Sequence, residues 1–335
     1  MRYAIRSLVG FGLLVAAACA GVPPLGPVGA QNLPLEIRAN SLPLKLDDPQ
    51  ARRVGKLVWR GGITMTANSR NFGGWSDLHV TPDGRTLISI SDEGSWFTAT
   101  IDYDENNNLA GLTGRQIGSL RGLDGKPLVD KQWADSEGMA LMPDGSWIVS
   151  FERHHRIWRY PTLDGTPTAI DLPEDFGKQP NNGGVETLTA LADGRIIAIS
   201  EEYTLRAGAN VGWIGTPAPG GHYAWSHFDY ATIPDFKPTA ITLLPDGSFA
   251  TLERAFDMVR GVRVRVMNFA SGQLQPGGTV HAVELARLAS PYAVDNLEGL
   301  AATRGVRGET LLWLISDDNF NPLQRNILLL FELAK

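Results

Sequence analysis

Three glutamates, Glu137, Glu186 and Glu298, hold equivalent places in separate stretches of the chain. Glu137 and Glu186 each stand eight residues before the glycine of an Asp-Gly turn, and Glu298 matches them through its Leu-Glu-Gly-Leu surroundings. Ser76 and Thr239 fill the same place in two further stretches, with Asp77 one residue off it. A second set of acids closes the apolar run that follows each turn: Asp92-Glu93, Glu152, Glu201-Glu202, Glu253 and Asp317-Asp318. Carboxylates brought together cannot all remain ionised and unpaired without cost, so they need a cation, basic partners or raised pKa values. Oxygen ligands without histidine or cysteine suit calcium best, with magnesium or manganese as alternatives. Asp77, Asp92, Glu137, Glu186, Glu298, Asp317 and Asp318 are therefore candidate metal ligands. Glu137, Glu186 and Glu298 are also candidate general acids or bases. Arginines recur beside them: Arg153, Arg254 and Arg325 are candidate substrate-binding residues, because a guanidinium fork fits phosphate or carboxylate. Both sets have a plainer reading, in which strand-end acids cap loops and pair with neighbouring arginines.

The elements that must position these acids come from an internal repeat. "WSDLHVTPDGRTLISISDEG" from Trp75, "DSEGMALMPDGSWIVSFER" from Asp135, "GGVETLTALADGRIIAISEE" from Gly183 and "KPTAITLLPDGSFATLERAFD" from Lys237 share one plan. "DNLEGLAATRGVRGETLLWLISDDN" from Asp295 repeats it with a longer turn. Each unit runs apolar strand, tight turn, apolar strand, acidic end. In the Pro-Asp-Gly form, proline presets φ and glycine accepts the positive φ that the turn needs. Turn glycines Gly84, Gly145, Gly194 and Gly247 recur at 49 to 61 residues, the period of a β-propeller blade. The expected fold is all-β: a β-propeller of four-stranded blades, with five inner hairpins and room for a sixth, degenerate blade. "NILLLFEL" leaves the last blade one strand short, so "GKLVWRGGITMT", from Gly55, is expected to close the ring. Because a hairpin's two ends meet opposite its turn, every repeated acid then faces one mouth of the central channel.

The amino terminus reads as a targeting segment. Arg2 and Arg6 precede an apolar run, Leu8 to Ala18, which is too short to span a bilayer. Cleavage is expected after residue 20, or as late as residue 30; residues 21–54 then form an extension and 55–335 the propeller. Cys19, the chain's one cysteine, stands in "AAAC", a lipobox-like run that makes it a candidate lipidation site. These features predict a periplasmic, secreted or outer-membrane lipoprotein, monomeric, with no transmembrane helix in the mature chain. Loss of Arg2 and Arg6 takes the formal charge from −6 to −8, which argues against nucleic acid as a partner and leaves a small anionic or ester substrate as the expected one.

Several chemistries are excluded or weak. The sequence has no G-x-S-x-G elbow, H-E-x-x-H or P-loop, and a mature chain without cysteine cannot use a cysteine nucleophile. If the protein is a hydrolase, metal-activated water is the nucleophile left. "DYDENNN", Asp102 to Asn108, spaces acids like an EF-hand loop but lacks its central glycine and closing glutamate, so a polar turn is expected. "ERHHRIW" offers His154 and His155 as general acids, although a solvated loop with one packed histidine is the plainer reading. Asn319 and Asn321 could add carbonyl ligands. Trp75, Trp96, Trp147, Trp158 and Trp313 are expected in blade cores.

These repeated units, taken from Gly55 to Lys335, resemble the bacterial phytase-like domain described by an esterase-like activity of phytase. The resemblance implies a propeller that hydrolyses phosphate or other esters, in a wider group whose phytases hold calcium at an acidic channel mouth. It carries no catalytic signature to transfer residue by residue. Two alternatives stay open: a non-catalytic ligand- or envelope-binding propeller with a structural calcium, and a lactonase-like enzyme, whose usual Glu/Asn/Asn/Asp ligand set is not evident here.

Overall fold

The computed structural model describes residues 33–334. The leader, its cleavage sites and Cys19 lie outside the described residues. Five sheets, antiparallel but for one short pairing, account for the architecture. Their innermost strands are Trp75–Val80, Ser136–Leu141, Thr187–Ala190, Lys237–Leu243 and Asn296–Arg304. Each packs against the next, and the fifth packs against the first, so the described residues form a closed five-bladed propeller with no sixth blade.

The second strand of each blade runs back from the turn: Thr86–Ser91, Trp147–Phe151, Ile196–Ile199, Phe249–Asp257 and Thr310–Asp317. All four Asp-Gly turn glycines have positive φ, between 69° and 85°, the region glycine enters without a Cβ penalty. The fifth blade is completed by the strand Leu57–Ala67, which pairs antiparallel with Ile327–Leu333 (Leu328 opposite Ile63, Leu333 opposite Leu57). Chain start and chain end are thereby stitched into one sheet.

The sheet edges are covered in ways the repeat did not announce. Ile37–Ser41 adds a strand outside Leu57–Ala67, and Leu33–Pro34 pairs with the outer strand of the first blade. Thr279–Val280, within the run that precedes the last strand of blade four, instead pairs in parallel with the outer strand of blade three, Tyr223–Ala231. Each addition satisfies backbone groups that an open edge would offer to other chains. Apolar residues from facing sheets fill the space between blades, with Trp75, Trp213 and Trp313 fully buried. Trp96, Trp147 and Trp158 are buried there too. Among the described residues, no helix is long and apolar enough to cross a membrane.

Candidate functional site

A β-bulge marks the acid end of four inner hairpins. Pairing skips from Trp75 to Asp77, from Ser136 to Met139, from Pro238 to Ala240 and from Leu297 to Gly299. The extra residues are Ser76, Glu137-Gly138, Thr239 and Glu298, the residues that the repeat aligns. A bulge leaves its extra residue out of the ladder and re-aims its side chain. In the third blade Glu186 stands just before the strand and reaches the same place without one.

The result is one cavity of about 350 Å³ at the channel mouth, lined by Asp92, Asp135, Glu137, Glu152, Glu186, Glu201, Glu298 and Asp317. Lys131, Arg153, Lys237 and Arg254 share it, with Asn182 and Asn319. Thus eight carboxylates face four cations among the described residues. Blade four breaks the acidic pattern: Glu253 turns away, paired with Arg265 at 2.8 Å and accepting from the Tyr230 hydroxyl, and Arg254 takes its place.

The cations hold part of this charge. Lys131 Nζ reaches Asp92 Oδ2 at 2.5 Å and Asp135 Oδ1 at 2.7 Å, while Arg153 Nε meets Asp135 Oδ2 at 2.6 Å. Arg254 donates to Asn296 Oδ1 at 2.6 Å and lies 3.4 Å from both Glu201 and Glu298. Lys237 pairs with Glu202 and stands 3.6 Å from Glu201. Asn296 Nδ2 bridges Glu298 and Asp317 at 2.8 and 3.2 Å.

Other carboxylate oxygens have no such support. Oε2 of Glu186, a residue 8% exposed, has no hydrogen-bond partner among the described residues, and Oδ1 of Asp92 is also unpartnered. Burial, then neighbouring acids, drive the Glu137 and Glu186 carboxyls well above their ordinary range. Burial also dominates at Glu152, pushed up to about 8, Glu298 to about 7 and Asp92 to about 6. Asp317 is raised well above its usual value, burial again leading.

Two carboxylate groups bring ligand oxygens within 4.8 Å of one another: Asp135, Glu137 and Glu152, and Glu152, Glu186 and Glu201. Glu152 is common to both. The donors are all oxygen, one is orphaned, and the set is closely spaced; it fits a hard divalent cation. Backbone strain gathers here as well. Arg153 and Asn319, both lining the cavity, hold φ of 58° and 47°, left-handed conformations that a non-glycine residue keeps only when its surroundings impose them.

Of the candidates named from sequence, Asp92, Glu137, Glu186, Glu298, Asp317, Arg153 and Arg254 line the cavity, and Asp77, Asp318 and Arg325 do not. Asp77 is buried in the channel below, accepting from Leu78 N, Met139 N and, through a third backbone bond, Leu300. It ties together inner strands of blades one, two and five. Asp77→Ala should therefore cost about 3 kcal/mol in urea unfolding, from backbone donors left unpaired; an unchanged unfolding midpoint would remove that role. Asp318 accepts from Gly74 N at 2.9 Å and from Asn326 Nδ2 at 2.8 Å, and Arg325 pairs with Asp295 at 3.2 Å. Asn321 and both histidines also stay outside the cavity lining. His155 rests on Pro180 O at 3.0 Å, and its pKa is lowered by burial. "DYDENNN" closes on itself, Asp104 Oδ1 accepting from Asn106 N and Asn108 N.

A five-bladed ring whose inner hairpins deliver carboxylates to one mouth defines a β-propeller with an acidic cavity at the end of its channel. The chain belongs to the phytase-like family, described by the esterase-like activity of phytase, whose profile matches residues 70–320. No curated protein sequence matches it. Solved structures similar to it include a Xanthomonas campestris gluconolactonase, at 12% identity and a TM-score of 0.41, covering 93% of this chain and 99% of that one. An endo-arabinase from Bacteroides thetaiotaomicron is 12% identical, with a TM-score of 0.46 and coverage of 77% and 92%. Virginiamycin B lyase from Staphylococcus aureus is 13% identical, with a TM-score of 0.40 and coverage of 88% and 99%. At these identities the likenesses carry nothing about activity.

Proposed function

We propose that the protein is an exported hydrolase of phosphate or carboxylic esters that uses a divalent cation, calcium foremost, at the acidic mouth. One observation carries this reading: the buried, unpartnered Glu186 oxygen among two carboxylate groups that share Glu152. Asp135, Glu137, Glu152, Glu186 and Glu201 would hold the cation. When bound, it supplies a Lewis acid that screens an anionic ester and acidifies water. Arg254, between Glu201 and Glu298, orients the ester's charged oxygens from blade four. Glu298 holds a proton near neutrality, since burial raises its carboxyl to about 7, and suits general acid–base work. Export rests on the charged and apolar pattern of residues 1–20.

The test is turnover of p-nitrophenyl phosphate, p-nitrophenyl acetate and phytate by folded protein, with calcium and with chelator. Calcium-dependent hydrolysis of at least one is expected; none on any of the three would end the hydrolase reading. A non-catalytic binding propeller with a structural calcium is favoured by the engagement of Glu298, which already accepts from Asn296 Nδ2 and pairs with Arg254. In that case calcium raises the melting temperature and no ester is cleaved.

A further inference from the structure

Outside the cavity lining, on the segments that carry its Lys131 and Arg153, an indole is held in the open. Trp133, 45% exposed, sits on the short helix Lys131–Ala134, and the His154 ring stacks on it at 4.0 Å and 22°. The two rings come from different segments, one before and one after the inner hairpin of blade two. A third residue fixes them. The Arg156 guanidinium lies 3.9 Å from the Phe151 ring and 4.2 Å from Trp158, and its two terminal nitrogens donate to Trp133 O and to His154 O, the latter at 2.8 Å. Its Nε has no acceptor among the described residues. A guanidinium enclosed by rings and anchored to both rim segments gives the stack a set position rather than a loose one. Lys131 and Arg153, the residues neighbouring the stack in sequence, reach inward to Asp135 at 2.7 and 2.6 Å.

A single exposed hydrophobic residue calls for no explanation. Two stacked rings held by a half-buried cation, next in sequence to two cations of the cavity, differ from that. The His154 ring and the Arg156 guanidinium, 5.4 Å from the indole centroid, hold the indole before any ligand arrives, so ordering costs little on binding, and its exposed part offers apolar area and a ring edge to a flat partner.

We propose that the Trp133–His154 pair is a subsite for an aromatic ring on the substrate, so that the preferred ligands are aryl phosphate or aryl carboxylic esters. This deepens the hydrolase reading and rests on it for the word substrate; the subsite itself is a binding surface that needs no turnover. The ring stacks on the rim while its polar group enters the cavity between Lys131, Arg153 and the acids. Esters with small alkyl groups fill only the inner part.

Calorimetric titration in calcium buffer compares phenylphosphonate with methylphosphonate, which carry the same head group. Phenylphosphonate should bind about tenfold more tightly, the scale of one stacked ring plus its buried area. Trp133→Ala should remove that preference without lowering the melting temperature, and Trp133→Phe should restore most of it. Equal affinities in the parent, a preference that survives Trp133→Ala, no binding of either phosphonate, or glucose 6-phosphate binding as tightly as phenylphosphonate would each overturn the subsite. An aryl preference in a protein that cleaves no ester supports the subsite and ends the hydrolase reading. Ester turnover with equal affinities does the reverse.

Discussion

Glu186→Gln should weaken calcium binding about 100-fold and lower ester turnover by at least as much, while the variant melts higher than the parent in chelator. The opposite signs follow from one fact. Glu186 is buried among Glu152, Glu201 and Glu298, and one of its oxygens has no partner. With calcium present, that oxygen is a charged ligand, and affinity follows ligand charge. Without calcium, burial and like charges make the ionised form costly, and the neutral amide has nearly the same shape. Relief of that cost is expected as a higher melting temperature in chelator at pH 8, where the burial and neighbouring acids that raise the Glu186 carboxyl act against ionisation. Calcium titration by calorimetry and melting in chelator read the two effects separately. A variant that binds calcium like the parent would remove Glu186 from the site, and with it the main support for a cation there.

The second large effect is a stability that falls with pH in chelator and falls less steeply with calcium. In chelator, Asp92, Glu298 and Glu152 have carboxyls raised to about 6, 7 and 8, above their unfolded values of about 4. Between those values the native state keeps protons that the unfolded chain has released. Stability is therefore fully present below about pH 4 for these groups and is lost as pH rises through 6, 7 and 8, by up to about 1.4 kcal/mol per unit for each group. With calcium, ligands must be deprotonated to bind, so Glu152 no longer carries a proton that the unfolded chain lacks, and its share of the loss with pH disappears. Urea midpoints at pH 5.5, 6.5, 7.5 and 8.5, with and without calcium, should therefore give curves that diverge as pH rises, the calcium curve falling less. Parallel curves would mean that calcium does not engage Glu152.

Much of this site was legible from the chain, for a reason that also explains what was not. Glu137, Glu186 and Glu298 were found because a repeat fixes their distance from a turn, and distance along a hairpin converts directly into height in the blade. Asp77 shows the limit. It lies one residue off that register, and one residue along a strand moves a side chain to the other face; the bulge at Ser76 hides the shift from sequence. Lys131 escaped because it sits on a connection between blades that no other blade repeats. Lys237 lies in the blade where Arg254 reverses the charge, and a repeat draws the eye to what is kept, not to what is replaced. The parallel pairing of Thr279–Val280 with blade three leaves no pattern at all, since two residues are too few for a period. Ring closure was more readable, because "NILLLFEL" left a strand without its neighbour.

That closure also sets an order of events. The strand Leu57–Ala67 is made long before its partner Ile327–Leu333. The pairing with the longest reach in the chain is the one that completes the circle, and contacts so distant in sequence form slowly. Until the carboxy-terminal strand arrives, blade five has an open seam, and Glu298 and Asp317 have no fixed place beside Glu137, Glu152 and Glu186. The complete acidic mouth, with Glu298 and Asp317 beside the acids of blades two and three, thus exists only in the closed ring, and a cation held there under the proposed reading would favour closure by mass action.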